Sequence, residues 1–127
     1  MRRRSAIIIA TALVTVAVAI CFVWYFDWGH DPVEKLPWLH GQPLAKVFAE
    51  LGQPSQQLDY TMGNGPDGEF RVELYNTYPP NDPKTMDVRI KELQWHRWRY
   101  DIAVWMHLVN GEWIVLDTCR WREGVEF

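Results

Sequence analysis

Apolar positions along the chain form one long run, one helical stripe and several alternating stretches. The long run extends from Ala6 to Phe26 and contains twenty-one residues without a charged side chain. Because an α-helix rises about 1.5 Å per residue and the hydrocarbon core of a bilayer is about 30 Å thick, this run is just long enough to span a membrane. The pattern predicts a transmembrane helix at residues 6–26.

The residues that flank this run predict its orientation. The tail at residues 1–5 contains Arg2, Arg3 and Arg4, and the opposite flank contains Asp27 and Asp31. Positively charged residues are retained on the cytoplasmic side of a single-pass protein. We therefore expect the N-terminus inside the cytoplasmic (inner) membrane and the rest of the chain outside the cytoplasm.

Two other interpretations of the run are lipidation and cleavage. Cys21 follows Ile20, which is too large for the residue before a lipid-modified cysteine, and the positions after Cys21 stay apolar. Ala17-Val18-Ala19 resembles a signal-peptidase site, but cleavage there exposes an apolar new terminus. An uncleaved signal anchor is therefore favoured, and cleavage remains the main alternative. Residues 27–38, with glycine, two prolines and alternating charges, predict a short stalk.

The helical stripe lies soon after the predicted stalk. Leu44, Val47, Phe48 and Leu51 recur at the spacing of one helix face. Pro43 suits the start of a helix, because its missing N–H is not needed there. Gly52 suits a left-handed helix end. The segment predicts one short amphipathic helix that packs through this stripe.

A family resemblance rests on the same segment. Its pattern of glycine, proline and apolar residues resembles the helix motif of the small envelope lipoproteins of the outer-membrane β-barrel assembly machinery, and it is similar to the β-lactamase-inhibitor-like fold. The matching residues are Gly41, Pro43, Val47, Leu51, Gly52 and Pro54. The resemblance implies short helices on an antiparallel sheet and a protein that binds other proteins without catalysis. The chain departs from those lipoproteins by carrying a predicted span in place of a lipidation motif.

Alternating stretches predict the strands. Apolar and polar residues alternate over 69–78, the mark of a strand with one wet face. The glycine-rich segment before it predicts a turn that pairs residues 58–62 with 69–78. Prolines then break the pattern over 77–84, and alternation resumes at 86–98. The predicted fold class is α+β, with one short helix on an antiparallel meander of four or five strands, in an extracytoplasmic domain at residues 39–127.

The strongest local signal is Asn110-Gly111 between two β-rich runs. Both residues tolerate the positive φ angles of a two-residue type I′ hairpin turn. Pairing outward from this turn predicts a core face with Leu108–Trp113, Met106–Val115, Ile102–Cys119 and Tyr100–Trp121. The other face has His107–Ile114, Trp105–Leu116, Ala103–Thr118 and Asp101–Arg120.

Asp117 does not fit that register. It faces Val104 on the apolar side, where an unpaired carboxylate is costly. Three explanations are open: a partner such as Arg97, Arg99 or a tryptophan N–H, a β-bulge that turns Asp117 away, or a functional role.

The second face of the hairpin is the candidate binding surface. Six residues of its apolar centre and polar rim form the predicted site: Asp101, Trp105, His107, Ile114, Leu116 and Arg120. Another segment, such as Val88–Leu93, can cover this surface; if it is exposed, such a patch marks a binding site. Aromatic and arginine side chains dominate protein-binding surfaces, and aromatic rings also stack on sugars.

Charge and chemistry narrow the function. The chain after the predicted span has sixteen acidic and ten basic residues, a net charge of −6. This charge argues against binding to nucleic acid and to anionic lipid headgroups. The four histidines are scattered and Cys119 is the single cysteine of the domain, so no metal, cofactor or catalytic residue is predicted. We expect a non-catalytic, membrane-tethered module of the bacterial envelope that binds another envelope protein. A glycan- or peptidoglycan-binding module that uses exposed tryptophans is the alternative.

Overall fold

The computed structural model of the protein describes residues 2–28, 33–66, 68, 71–125 and 127. The chain divides into two compact units, residues 1–31 and 32–127. The first unit contains one uninterrupted helix, α1 (Arg2–Trp28). Within the described residues, no helix is both long enough and apolar enough to cross a membrane.

The second unit is built on a five-stranded antiparallel sheet. Its strands are β1 (Val33–Glu34), β2 (Gln56–Thr61), β3 (Arg89–Arg97), β4 (Tyr100–Val109) and β5 (Glu112–Arg122), in the spatial order β1-β5-β4-β3-β2. Strands β2 to β5 form a meander, and β1 adds to the free side of β5. The predicted α+β class and strand number are confirmed for this unit.

Helix α2 (Leu44–Leu51) covers one face of the sheet, as the stripe predicted. It begins after Pro43, and Gly52 (φ 73°) ends it by donating its N–H to the Phe48 carbonyl at 2.9 Å. Val47 is fully buried, and Phe48 packs against the core formed by Leu93, Trp95, Val104 and Met106 with their neighbours. A short 3₁₀ turn, Pro37–Leu39, completes this layer.

The second face is covered by the segment that contains α3 (Val72–Tyr75). The prediction of a strand at 69–78 is therefore wrong; residues 69 and 70 lie outside the described residues. Leu74 is buried and Tyr78 half-buried against Trp105, four positions apart, so the alternating pattern also satisfies a helical spacing. The predicted partner, residues 58–62, pairs instead with β3, and the 3₁₀ turn Met62–Asn64 follows β2.

The β4–β5 hairpin has its predicted turn, with positive φ at Asn110 and Gly111. The predicted register holds from Val109–Glu112 to Met106–Val115 and then shifts by one residue at a bulge, so that Trp105 faces Asp117. Beyond the bulge the predicted pairs are wrong: Ala103 faces Cys119 and Asp101 faces Trp121.

The bulge resolves the position of Asp117. The extra residue places the carboxylate on the face covered by α3, opposite to α2. The predicted bulge is therefore present, but it does not turn Asp117 outward. Asp117 remains buried. Part of the predicted stalk belongs to the folded unit instead, because Val33–Glu34 pairs with β5 and Leu36 is buried in the α2 layer.

Candidate functional site

The predicted binding surface is largely inside the protein. Trp105 is 0% exposed, and it packs with Leu74, Tyr75 and Tyr78 of the α3 segment. The expectation of an exposed Trp105 is therefore wrong, and the alternative that another segment covers this face is confirmed. The covering segment is the one around α3, because residues 88–93 contribute to β3 instead.

The other predicted site residues separate from one another. His107 is half-buried, its Nδ1 lies 2.7 Å from the Tyr78 hydroxyl, and burial lowers its pKa. Asp101 contacts His96 (2.9 Å), whereas Arg120 pairs with Glu34. Ile114 and Leu116 are half-buried, Leu116 against the Trp105 core and Ile114 beside Pro43. The six residues do not form one continuous surface.

Side chains from distant parts of the chain surround Asp117, so no local sequence pattern pointed to them. The Lys35 ammonium donates to both carboxylate oxygens at 3.0 Å and also pairs with Glu73. His40 Nε2 lies 3.3 Å from Asp117 Oδ1, and the Thr118 N–H donates to the same oxygen at 2.8 Å. The predicted partners Arg97, Arg99 and tryptophan are replaced by Lys35, eighty-two positions away.

The side chains around Asp117 form ion pairs and hydrogen bonds that neutralise its carboxylate. Burial lowers the pKa of Lys35, but hydrogen bonds from the ammonium to Glu73 and Asp117 outweigh burial and raise it, so the amine stays protonated. Burial and then Glu73 raise the pKa of the nearby Cys119 thiol to about 11, which leaves it a weak nucleophile. Among the described residues, no three histidine, cysteine or acidic side chains are placed to hold a metal.

A second buried charge lies under α3. Glu92 is 0% exposed. The Arg71 guanidinium donates to it from Nε to Oε2 at 2.8 Å and from Nη2 to Oε1 at 2.9 Å. The Tyr60 hydroxyl (2.7 Å) and Trp105 Nε1 (3.0 Å) also donate to Oε2, and Gln94 donates to Oε1. Burial raises the pKa of Glu92, but these bonds, Arg71 first, lower it overall.

A cavity of about 140 Å³ adjoins this network. Its lining includes Tyr60, Met62, Arg71, Tyr75 and Met86. Arg71 and Tyr60 both donate to Glu92, so these two polar side chains of the cavity wall are engaged within the protein. No local sequence pattern marks Glu92, since its partners come from β2, β4 and the α3 segment.

Two solvent-exposed features of the sheet bear on binding. The β3–β4 turn carries Trp98, whose side chain is 83% exposed, with the Arg99 guanidinium carbon 4.7 Å from its ring. Its sequence signal is a repeated Arg-Trp-Arg triplet, at 97–99 and 120–122. The second feature is β2, which pairs with β3 along one side and with no other described strand.

Comparison with known proteins places the chain in no family. No protein-family model, curated protein or solved structure matches it. The resemblance to the small envelope lipoproteins therefore stays a prediction that rests on the α2 segment.

Proposed function

We propose that the protein is a non-catalytic, membrane-tethered extracytoplasmic module of the bacterial envelope that binds another envelope protein along the edge strand β2. The observation that carries the proposal is the contrast between the two edges of the sheet. The β5 edge is covered by β1 at Trp121 and Arg120, and Gly41 and Gln42 bond to Val115. Gln56–Thr61 has no such cover among the described residues.

The geometry of β2 suits the addition of a partner strand. Met62 donates its N–H to Val88 across the β2–β3 ladder, and backbone groups alternate in direction along an antiparallel strand. The peptide groups of Gln57, Asp59 and Thr61 therefore point away from β3. An extended segment of another protein can pair with such groups and take specificity from alternate side chains.

The tether is supported by the sequence of α1. The uncharged run Ala6–Phe26 lies within this 27-residue helix. At about 1.5 Å per residue, the run has the length that the hydrocarbon core of a bilayer requires. The preceding arginines support a cytoplasmic N-terminus in the inner membrane.

The buried charges support a structural role. Asp117 is neutralised by Lys35, and Glu92 by Arg71. Each pair joins segments far apart in the chain, as charges that hold a fold together do. Neither group presents an activated nucleophile or base toward the cavity under α3.

The experiment places a photo-crosslinking amino acid at Gln57 in cells, and the control places it at Glu50, which is exposed on the outer side of α2. We expect one envelope protein, identified by mass spectrometry, to crosslink from Gln57 and not from Glu50. With the crosslinker at Asp59, Gln57→Pro should abolish the product, because proline removes an outward N–H, whereas Gln57→Thr should retain it. Equal products from both positions, or products insensitive to proline, contradict the edge-strand interface.

A glycan-binding module is the second candidate function, because Trp98 and Trp38 are 83% and 58% exposed. Exposed indole rings can stack on sugar rings. Retention of the protein on purified cell wall, competed by free sugar and lost in Trp98→Ala, would favour this function over a protein partner.

A further inference from the structure

The cavity under α3 is formed by three separate segments of the chain. The end of β2 and the turn that follows it supply Tyr60 and Met62, α3 supplies Leu74 and Tyr75, and the loop before β3 supplies Met86. Leu74 is buried, whereas the Met86 side chain is 40% exposed. The cavity, with its volume of about 140 Å³, therefore extends from the core of this face toward the protein surface.

Two glycines allow the turn after β2 to form one wall of this cavity. A Cβ atom at Gly65 would lie 2.8 Å from a carbon of the Tyr60 ring, and one at Gly63 would lie 3.2 Å from the Met86 Cβ. Both distances are shorter than the contact separation of about 3.5–4.0 Å between carbon atoms. The Gly63 N–H also donates to the Met86 carbonyl at 2.9 Å. The turn is therefore held close against the neighbouring wall, and the cavity has a defined shape.

The buried part of the wall has its charges paired within the protein. Arg71 lines the cavity and is 6% exposed, and its guanidinium donates to both carboxylate oxygens of Glu92. The Tyr60 hydroxyl donates to the same carboxylate. A charged ligand would lose its hydration here without gaining a counter-charge from Arg71, which already faces Glu92. The cavity therefore suits an uncharged ligand.

Size and wall chemistry together favour an aromatic ring. An engineered apolar cavity of about 150 Å³ binds one benzene molecule, so the volume here is that of a single six-membered ring. Met62 and Met86 contribute thioethers to the wall, and sulfur makes favourable contacts with aromatic rings. Tyr60 and Tyr75 contribute rings, which pair with another ring offset-stacked or edge to face. The exposed residue Asn81 adds a polar group to the wall, which suits a hydroxyl group on the ring.

From these observations we infer that the cavity under α3 is a binding site for one uncharged phenol ring. The ring lies among Met62, Tyr75 and Met86. The phenol is either a free small molecule or the side chain of a tyrosine in a peptide. This site goes beyond the proposed function, and it does not depend on the pairing of a partner strand with β2.

The test is NMR spectroscopy of the full chain in detergent micelles, with isotope labels at the methionine methyl groups. The probe is p-cresol, which is the side chain of tyrosine as a free molecule. We expect p-cresol to shift the methyl signals of Met62 and Met86 along one common saturation curve. Met106 is the internal control, because it is 0% exposed and packs in the core on the α2 face. Its signal should stay in place.

A matched probe and a matched variant separate ring recognition from general apolar binding. The probe para-methylcyclohexanol keeps the skeleton and the hydroxyl group of p-cresol but is not aromatic. Its dissociation constant should be about two- to tenfold higher, the factor expected from contacts between sulfur and an aromatic ring. Met86→Ala should weaken p-cresol binding by a similar factor, reported by Met62. The control Val72→Ala removes an apolar side chain that is 55% exposed on α3, and it should leave binding unchanged.

A second aromatic probe, N-acetyl-tyrosinamide, identifies the source of the ring. Binding of both aromatic probes would assign the site to a tyrosine side chain, whereas binding of p-cresol alone would assign it to a free phenol.

Three results would overturn the inference. Signals of Met62 and Met86 that do not move up to the solubility limit of p-cresol would show that the cavity holds no such ring. Signals that move together with that of Met106 would show an effect on the whole fold instead of a site. Equal dissociation constants for p-cresol and para-methylcyclohexanol would show that the cavity does not select an aromatic ring, whether or not Met86→Ala folds.

Discussion

Replacement of Arg71 by methionine tests the buried network that fixes α3 on the sheet. Methionine keeps much of the side-chain length but removes the cation that faces Glu92. The carboxylate, 0% exposed, retains neutral donors from Tyr60, Trp105 and Gln94. Because loss of one partner of a buried ion pair costs about 3–5 kcal/mol and three donors remain, we expect a cost of about 3 kcal/mol at neutral pH.

The pH dependence separates charge from packing. In wild type the pKa of Glu92 is lowered overall, so its stabilisation is present above the unfolded value of about 4.3 and is lost as pH falls through the folded pKa. Arg71 makes the largest contribution that lowers the pKa of Glu92, so its loss moves that pKa upward from the wild-type position. More of the buried carboxyl is then protonated at low pH, and the penalty for its charged form grows as pH rises. The cost of Arg71→Met should therefore be larger at pH 7 than at pH 4.

Urea unfolding of the fragment 32–127, one compact unit, measures this cost at both pH values. The control is Arg89→Met, which removes an exposed arginine that lies 5.6 Å from the Trp113 ring. It should cost no more than about 1 kcal/mol, as cation–π contacts at exposed sites do, at either pH. An Arg71→Met cost that is the same at pH 4 and pH 7 would refute the charge argument and leave only packing.

Two further predictions concern the contacts of α2 and of Asp117, and urea unfolding of the same fragment checks both. Phe48→Ala should cost about 2–3 kcal/mol, below the usual range for a fully buried phenylalanine, because Phe48 is half-buried. The control Lys46→Ala loses only an exposed ion pair with Glu50 and should cost about 0.5 kcal/mol or less. Equal costs of the two substitutions would show that α2 does not pack on the sheet through this stripe. Asp117→Asn should cost about 1.5–3 kcal/mol, the value of hydrogen bonds to charged groups, whereas Glu50→Gln should be nearly neutral. An unchanged stability in Asp117→Asn would show that the ion pair between Asp117 and Lys35 contributes nothing.

Sequence alone determined the features whose causes are local. The stripe from Leu44 to Leu51 with Pro43 and Gly52 predicted α2 within a residue of its ends. Asn110-Gly111 predicted the hairpin turn and its first four pairs. These features depend on backbone preferences and on periodicity within a few residues, so they can be found without knowing the partners. The α+β class followed from the same patterns.

Tertiary contacts decided the rest. The segment 71–78 satisfies both strand and helix periodicities, and the fit of Leu74 and Tyr78 against Trp105 selected the helix. The bulge places the Asp117 carboxylate where it pairs with Lys35, a residue far away in the sequence. The same contacts turned the predicted Trp105 surface into core, whereas Trp98 stays 83% exposed and β2 pairs with no described strand other than β3. Such choices are made by packing between remote segments, and no local pattern of residues records which segment will cover which face.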